Sequence, residues 1–226
     1  MSILFLSDLH GNWPATLAME EAIRQVRPDE IWFLGDAVGK GPSSAQTCDW
    51  VREHCDHWIG GNWDYGVGGK EFSEDGFFWN QLGEERLTWL RTLPAEDELT
   101  FSGLRFRLIH GRPLTPLLKA DSPRDLYEQA LSTPAGRFDG LIFGDSHRPF
   151  IRTLQGAYVC NSGSVGVGMG VTRAHALLLE DAPLRMTVLS VPYDNQAAAE
   201  DARRAADLPH QAEYIREILT GVYSRR

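Results

Sequence analysis

The 226 residues carry a formal net charge of −9, a length that one α/β core supports and an acidity that argues against stable nucleic-acid or membrane binding, because phosphate backbones and anionic lipids select basic surfaces. A phosphorylated substrate remains compatible if cations, or a few Lys and Arg, reverse the field locally. Met1 leads into the apolar run 3–6 without a basic leader, no stretch approaches membrane-spanning length, and Cys48, Cys55 and Cys160 lack C-x-x-C spacing, so the expectation is a cytoplasmic chain with reduced, structural cysteines.

Residues 3–6 read as the first strand, followed by a loop at Gly11, Asn12 and Trp13 and a helix from Pro14 to the Arg27-Pro28 break, with apolar residues at helical spacing. Residues 30–34 form the second strand, 45–53 a helix capped by Ser43 or Ser44, and 57–59 a short third strand. This alternation predicts βαβ units with a parallel sheet. Aromatic and acidic residues over 72–89 predict one or two helices that cover a site or a sheet edge. Beyond Leu99 the pattern turns to antiparallel hairpins, with Ser102-Gly103 before strand 104–109 and Gln155-Gly156 between 151–154 and 157–160. A helix opens after Ser122-Pro123 and runs to Leu131, strands follow at 141–143, 174–179 and 185–191, and polar helices over 195–206 and 209–219 close the chain. We expect one domain over 1–226, with its core in 1–192 and the C-terminal helices over 195–220.

The apolar strands end in potential metal ligands. The first ends in Asp8-Leu9-His10, whose i, i+2 spacing in extended backbone puts both side chains on one face. The second ends in Gly35-Asp36, where a carboxylate can bridge two cations, and the third in Gly61-Asn62-Trp63-Asp64. Strand 104–109 ends in His110-Gly111, and strand 141–143 in Gly144-Asp145-Ser146-His147. Any one of these could be a turn or a satisfied polar group; five such strand ends in one chain are a joint signal, because open α/β sheets bind ligands beyond the strand carboxyl ends.

The order D-x-H, G-D, G-N-x-D, H-G and G-x-x-H resembles the calcineurin-like metallophosphoesterase superfamily, in particular its small bacterial branch of phosphodiesterases and diadenosine tetraphosphatase relatives. Gly35 to Pro42 and Asn161 to Gly166 carry the likeness further, and it spans about residues 3–179. The resemblance implies a four-layer αββα sandwich with mixed sheets and two divalent metal ions. Asp8, His10, Asp36 and His147 would hold one, and Asp36, Asn62, His110 and Asp145 the other, with Asp36 bridging. Two cations about 3.5 to 4 Å apart can share and acidify a hydroxide and clamp the oxygens of an in-line displacement at phosphorus. Mixed nitrogen and oxygen ligands suit Mn²⁺, Fe, Zn²⁺ or Co²⁺, and Mn²⁺ is the first expectation. Asp36, Asn62 and Arg148 would be catalytic, while Lys40, Arg112, Arg148 and Trp63 would contact a small phosphorylated substrate, a nucleotide first among the candidates. A homo-oligomer is compatible with the sequence.

The chain departs from the pattern twice. Trp63 stands where relatives commonly carry a histidine that protonates the leaving oxygen or stabilises developing charge. An indole donates a hydrogen bond but hands over no proton, and leaving-group protonation typically supplies about 10²- to 10⁴-fold. That tilts the expectation toward phosphoanhydrides and activated diesters over alkyl monoesters. Asp145 replaces the first histidine of G-H-x-H, which adds negative charge to the ligand set and favours a hard cation. Trp13 and Tyr65 are candidate walls of a base or alcohol pocket, and His54, His57, His175 and His210 are read as surface or structural. A Ser/Thr protein phosphatase, or a non-catalytic scaffold with a degenerate metal site, remains open at this point.

Overall fold

The computed structural model describes residues 1–224. β1 (Ser2–Leu6) is covered on both faces, which explains its unbroken apolar run. α1 (Trp13–Val26) starts where the Asn12 side chain accepts from the Ala15 N–H, and ends at Arg27 in the left-handed region. β2 (Glu30–Leu34), α2 (Ser44–His54) and β3 (His57–Ile59) complete the βαβ part. α3 (Asn62–Gly68) and α4 (Gly76–Arg91) follow, the latter kinked at Gly83, where φ is +67°. The hairpin β4 (Glu96–Phe101) and β5 (Leu104–Ile109) leads to α5 (Arg124–Leu131) and a small ladder of β6 (Ser132–Thr133) with β7 (Gly136–Arg137). β8 (Gly140–Phe143), β9 (Phe150–Leu154), β10 (Ala157–Asn161), β11 (Ala174–Glu180) and β12 (Arg185–Val191) precede α6 (Asn195–Arg204) and α7 (Gln211–Thr220).

The strands form two mixed sheets, one in the order β12-β11-β1-β2-β3 and the other β4-β5-β8-β10-β9. β1, β2 and β3 are parallel, as are β5, β8 and β10, while β11 pairs antiparallel with β1 and β12, β4 with β5, and β9 with β10. Period-2 alternation sorts the side chains. Ile3 and Phe5 join Trp32, Leu34, Phe106, Leu108 and Ile142 between the sheets, while Leu4, Leu6 and Phe33 face the large helical layer. On the far face of the second sheet, Ile109, Leu141 and Phe143 pack with Tyr127 and Leu131 of α5. The order is thus helix, sheet, sheet, helix, the αββα sandwich expected from the sequence.

Two local expectations change. Residues 62–68, for which the sequence predicts no helix, form one, because side-chain and backbone bonds at the start of α3 outweigh the poor helix propensity of Gly66 and Gly68. The C-terminal helices are shorter than their polarity pattern predicts, yet Ala198, Ala199, Ala202, Tyr214 and Ile218 are buried in the helical-layer core. Among the described residues no helix is long and apolar enough to cross a membrane.

Candidate metal centre

The carboxyl ends of β1, β2, β3, β5 and β8 meet at one rim, so residues from both sheets converge there. His10 Nε2 lies 3.6 Å from both Asp8 Oδ1 and Asp36 Oδ2, and His147 Nε2 lies 3.2 Å from Asp8 Oδ1. On the other side, His110 Nε2 is 3.3 Å from Asp36 Oδ2 and 3.9 Å from Asp8 Oδ1. Two overlapping triads result, Asp8, His10 and His147, and Asp8, Asp36 and His110, all buried and each with its donor atoms within 4.8 Å of one another. Asp36 Oδ2 sits between His10 and His110. Asn62, at the start of α3, lines the adjoining cleft.

The imidazoles are fixed from behind. Nδ1 faces a backbone carbonyl in all three: Val38 O at 3.1 Å for His10, Leu34 O at 2.7 Å for His110 and Val167 O at 2.7 Å for His147. A carbonyl only accepts, so each Nδ1 carries a proton, and in the neutral ring the Nε2 lone pair faces the centre, the tautomer a metal needs.

The loops themselves are strained. Asp8, His10, Asp36, Asp145 and His147 all have φ between +46° and +63°, a region side-chain-bearing residues rarely occupy and one that collects at functional sites. Gly35, at φ +96°, allows three segments to touch: a Cβ there would lie 2.6 Å from Gly61 N and 2.7 Å from His110 Nδ1. Asp64 ties the same loops together. It accepts from Asp36 N at 2.7 Å, Gly61 N at 3.0 Å and Ala37 N at 2.9 Å. Burial and the neighbouring Asp36 push its carboxyl up to about 7. Ser7 Oγ donates to Asp8 Oδ2 at 2.6 Å.

The electrostatics call for positive charge. Burial alone would lower the His110 imidazole, but Asp36 and Asp8 outweigh it and raise it well above its ordinary value. Burial likewise opposes ionisation of Asp8, and His147 and His110 reverse the sign and hold it well below the usual carboxylate range. At His10, burial and then the Lys40 ammonium win, and the imidazole drops to about 3.

Of the other residues picked out from the sequence, Lys40 is buried with Nζ 3.3 Å from His147 Nε2 and 5.9 Å from the Trp63 ring centroid. Trp63 N donates to Asp36 Oδ1 at 2.8 Å, and its ring stands edge-on to His10. Arg148 is exposed at the mouth. Asp145 is buried beside the triads, with its carboxylate bonded to Arg112. All of these border one cleft of about 600 Å³. Trp13 and Tyr65 do not line it. Trp13 packs into the helical layer, and the Tyr65 hydroxyl donates to Leu93 O at 3.1 Å. The apolar wall comes instead from Phe72, Phe78, Met169 and Tyr223, with Lys119 and His210 nearby. Phe72 and Phe78 belong to the aromatic stretch expected to cover a site or a sheet edge, whereas sequence reasoning missed the others because they stand in no strand-end motif. Asp64 did stand in one, and its place two residues after Asn62 is the signal that could have marked it.

The sequence model of the calcineurin-like phosphoesterase superfamily domain matches residues 1–181. The chain belongs to that superfamily. This phosphoesterase is 27% identical over 224 residues to an uncharacterized protein of Methanocaldococcus jannaschii, covering 88% of this chain and 90% of that one. It is 25% identical over 162 residues to a symmetrical bis(5'-nucleosyl)-tetraphosphatase of Methylobacillus flagellatus, covering 70% of this chain and 57% of that enzyme. A metallophosphoesterase from Sphaerobacter thermophilus superposes with a TM-score of 0.80 at 25% identity, covering 98% of this chain and 99% of the other.

Membership makes the protein a metal-dependent phosphoesterase, hence a hydrolase, and implies divalent metal ions. The donor set fits them. Asp8 Oδ1 and His110 Nε2 share a triad, and they and Asn62 Oδ1, whose residue lines the adjoining cleft, are buried and make no hydrogen bond among the described residues, a costly state for such polar atoms unless a cation satisfies them.

Proposed function

We propose that this phosphoesterase is a dinuclear, Mn²⁺-preferring phosphohydrolase of the cytoplasm that cleaves phosphodiester or phosphoanhydride bonds, with nucleoside and dinucleoside polyphosphates as the leading substrates. The observation that carries this reading is that Asp8 and His110, whose Oδ1 and Nε2 are buried and without a hydrogen-bond partner among the described residues, form a triad with an Asp36 carboxylate placed between two imidazoles, beside an Asn62 Oδ1 in the same unpartnered state.

Asp8, His10, Asp36 and His147 would hold one cation, and Asp36, Asn62 and His110 the other. When bound, the pair supplies a water acidified near neutral pH and neutralises the phosphoryl oxygens. The rest falls to side chains around it. Lys40 and Arg148 border the cleft and donate to non-bridging oxygens. Trp63 occupies the position from which relatives protonate the leaving group, and its indole N–H can only donate a hydrogen bond. Substrates whose leaving groups need no proton are therefore favoured, which is why anhydrides and aryl esters rank above alkyl monoesters. The cleft suits such a substrate: Phe72, Phe78 and Met169 offer an apolar wall to a base or aryl group beside the cationic rim. The likeness to a bis(5'-nucleosyl)-tetraphosphatase adds support for a nucleotide.

Metal analysis combined with hydrolysis of bis-p-nitrophenyl phosphate tests the reading. Two equivalents of Mn²⁺ and measurable turnover are expected, with diadenosine tetraphosphate or ADP cleaved faster than a phosphopeptide. A protein that binds no Mn²⁺ and stays inert would be a scaffold, and preference for the phosphopeptide would make it a protein phosphatase.

A further inference from the structure

Asp145 stands where the family pattern has a neutral histidine, and its oxygens are already engaged. Arg112 Nε lies 3.0 Å from Oδ1 and 2.9 Å from Oδ2, Nη2 lies 2.5 Å from Oδ1, and the Arg112 backbone N–H donates to Oδ2 at 3.1 Å. This is the fork geometry of a strong arginine–carboxylate pair. Asp145 Oδ1 also lies 4.0 Å from His110 Nε2. The carboxylate is 2% exposed, whereas the Arg112 side chain is 48% exposed on the cleft wall. The backbone is shaped to bring them together, since a Cβ on Gly111, at φ +142°, would lie 2.8 Å from Asp145 Cβ. With Nε and Nη2 committed, Nη1 has no hydrogen-bond partner among the described residues.

We propose that Asp145 and Arg112 together form a phosphate clamp: Asp145 is a positioning residue and not a metal ligand, and it holds the guanidinium so that Nη1 donates to a non-bridging oxygen of the substrate's phosphoryl group. This rests on the phosphohydrolase reading and adds to it a cation built from the chain itself. The charge balance supports the exchange. A lone carboxylate in place of histidine would add a negative charge to the centre and weaken its hold on an anion, whereas a carboxylate paired with Arg112 adds none. The half-exposed arginine also avoids the desolvation of a fully buried ion pair, so it can meet a phosphate without surrendering its first partner.

The test is a double-mutant cycle on the Mn²⁺-loaded full chain, with inorganic phosphate as the probe in calorimetry and metal content measured on the same samples. Arg112→Gln should weaken phosphate binding about tenfold and Asp145→Asn about threefold or more. The double variant should be no weaker than Arg112→Gln alone, and metal content should match the parent throughout. Arg112→Lys, which keeps the charge and loses the fork, should fall between parent and Arg112→Gln. Loss of Mn²⁺ from Asp145→Asn, or multiplying effects in the double variant, would overturn the clamp. Turnover of bis-p-nitrophenyl phosphate with phosphate affinity unchanged in both single variants would overturn the clamp and leave the phosphohydrolase reading standing. A parent chain that neither binds phosphate nor turns over would overturn both.

Discussion

Trp63 shows how one side chain can reset chemistry inside a preserved frame. Its backbone N–H still donates to Asp36 Oδ1, and its ring centroid stands 5.8 Å from that of His10 and 6.3 Å from that of Phe78. The indole is therefore held beside the ligands by packing on both sides and cannot swing away to admit another acid. Trp63→His should raise kcat/KM for an alkyl monoester by about tenfold or more, and raise that for an anhydride much less. Equal gains on both substrates would remove the leaving-group argument. At this scale the candidate ligands were legible because each terminates an apolar strand. The partners of their Nδ1 atoms were not, since a backbone carbonyl leaves no trace in residue type. The Arg112 fork on Asp145 was hidden for another reason: it spans two strand ends that only the folded sheet makes neighbours.

Between elements, Asp64 carries the alignment. Its two oxygens take three backbone N–H groups from the loops after β2 and β3, so the position of Asp36 relative to Asn62 depends on a side chain that does not line the cleft and offers no atom to the triads. Asp64→Ala leaves three buried donors without partners, which should cost about 3 kcal/mol or more. In a chain of this length that lowers Tm by roughly 6 to 12 °C. Calorimetry checks the loss, and Mn²⁺ titration of the folded variant should show weaker binding. An unchanged melt would mean that water satisfies the loops instead. Strands such as β2, β3 and β12 were readable to the residue because their alternation is strong and turns bound them. α3 was unreadable because glycines at two of its seven positions oppose helix by propensity, and only tertiary bonds at its start overrule them. The kink at Gly83 within α4 likewise has no counterpart in the hydrophobic pattern.

For the molecule as a whole, β11 was recognisable as a strand, but its place beside β1 was not, since pairing across most of the chain has no local signal. β11 also carries the clearest pH dependence away from the metal centre. His175 is buried there, and burial, followed by Arg173, lowers its imidazole to about 4. Between that value and about 6.5 the unfolded chain binds the proton that the folded chain refuses, so this contribution is complete above about pH 6.5 and lost as pH falls toward 4. Allowing for partial solvent screening, it amounts to about 2 kcal/mol. His175→Gln should flatten the fall in Tm between pH 6.5 and 4.5 relative to the parent, and parallel curves would show that the ring titrates normally.

The ligand candidates are spread from Asp8 to His147 and arrive from two different sheets. Among the residues of the two triads, only Asp8 and His10 are neighbours in sequence. On the proposed function a cation would therefore need the finished fold, and once held it would rivet one half of the sandwich to the other. Metal addition would then act as a final curing step that locks the assembled chain.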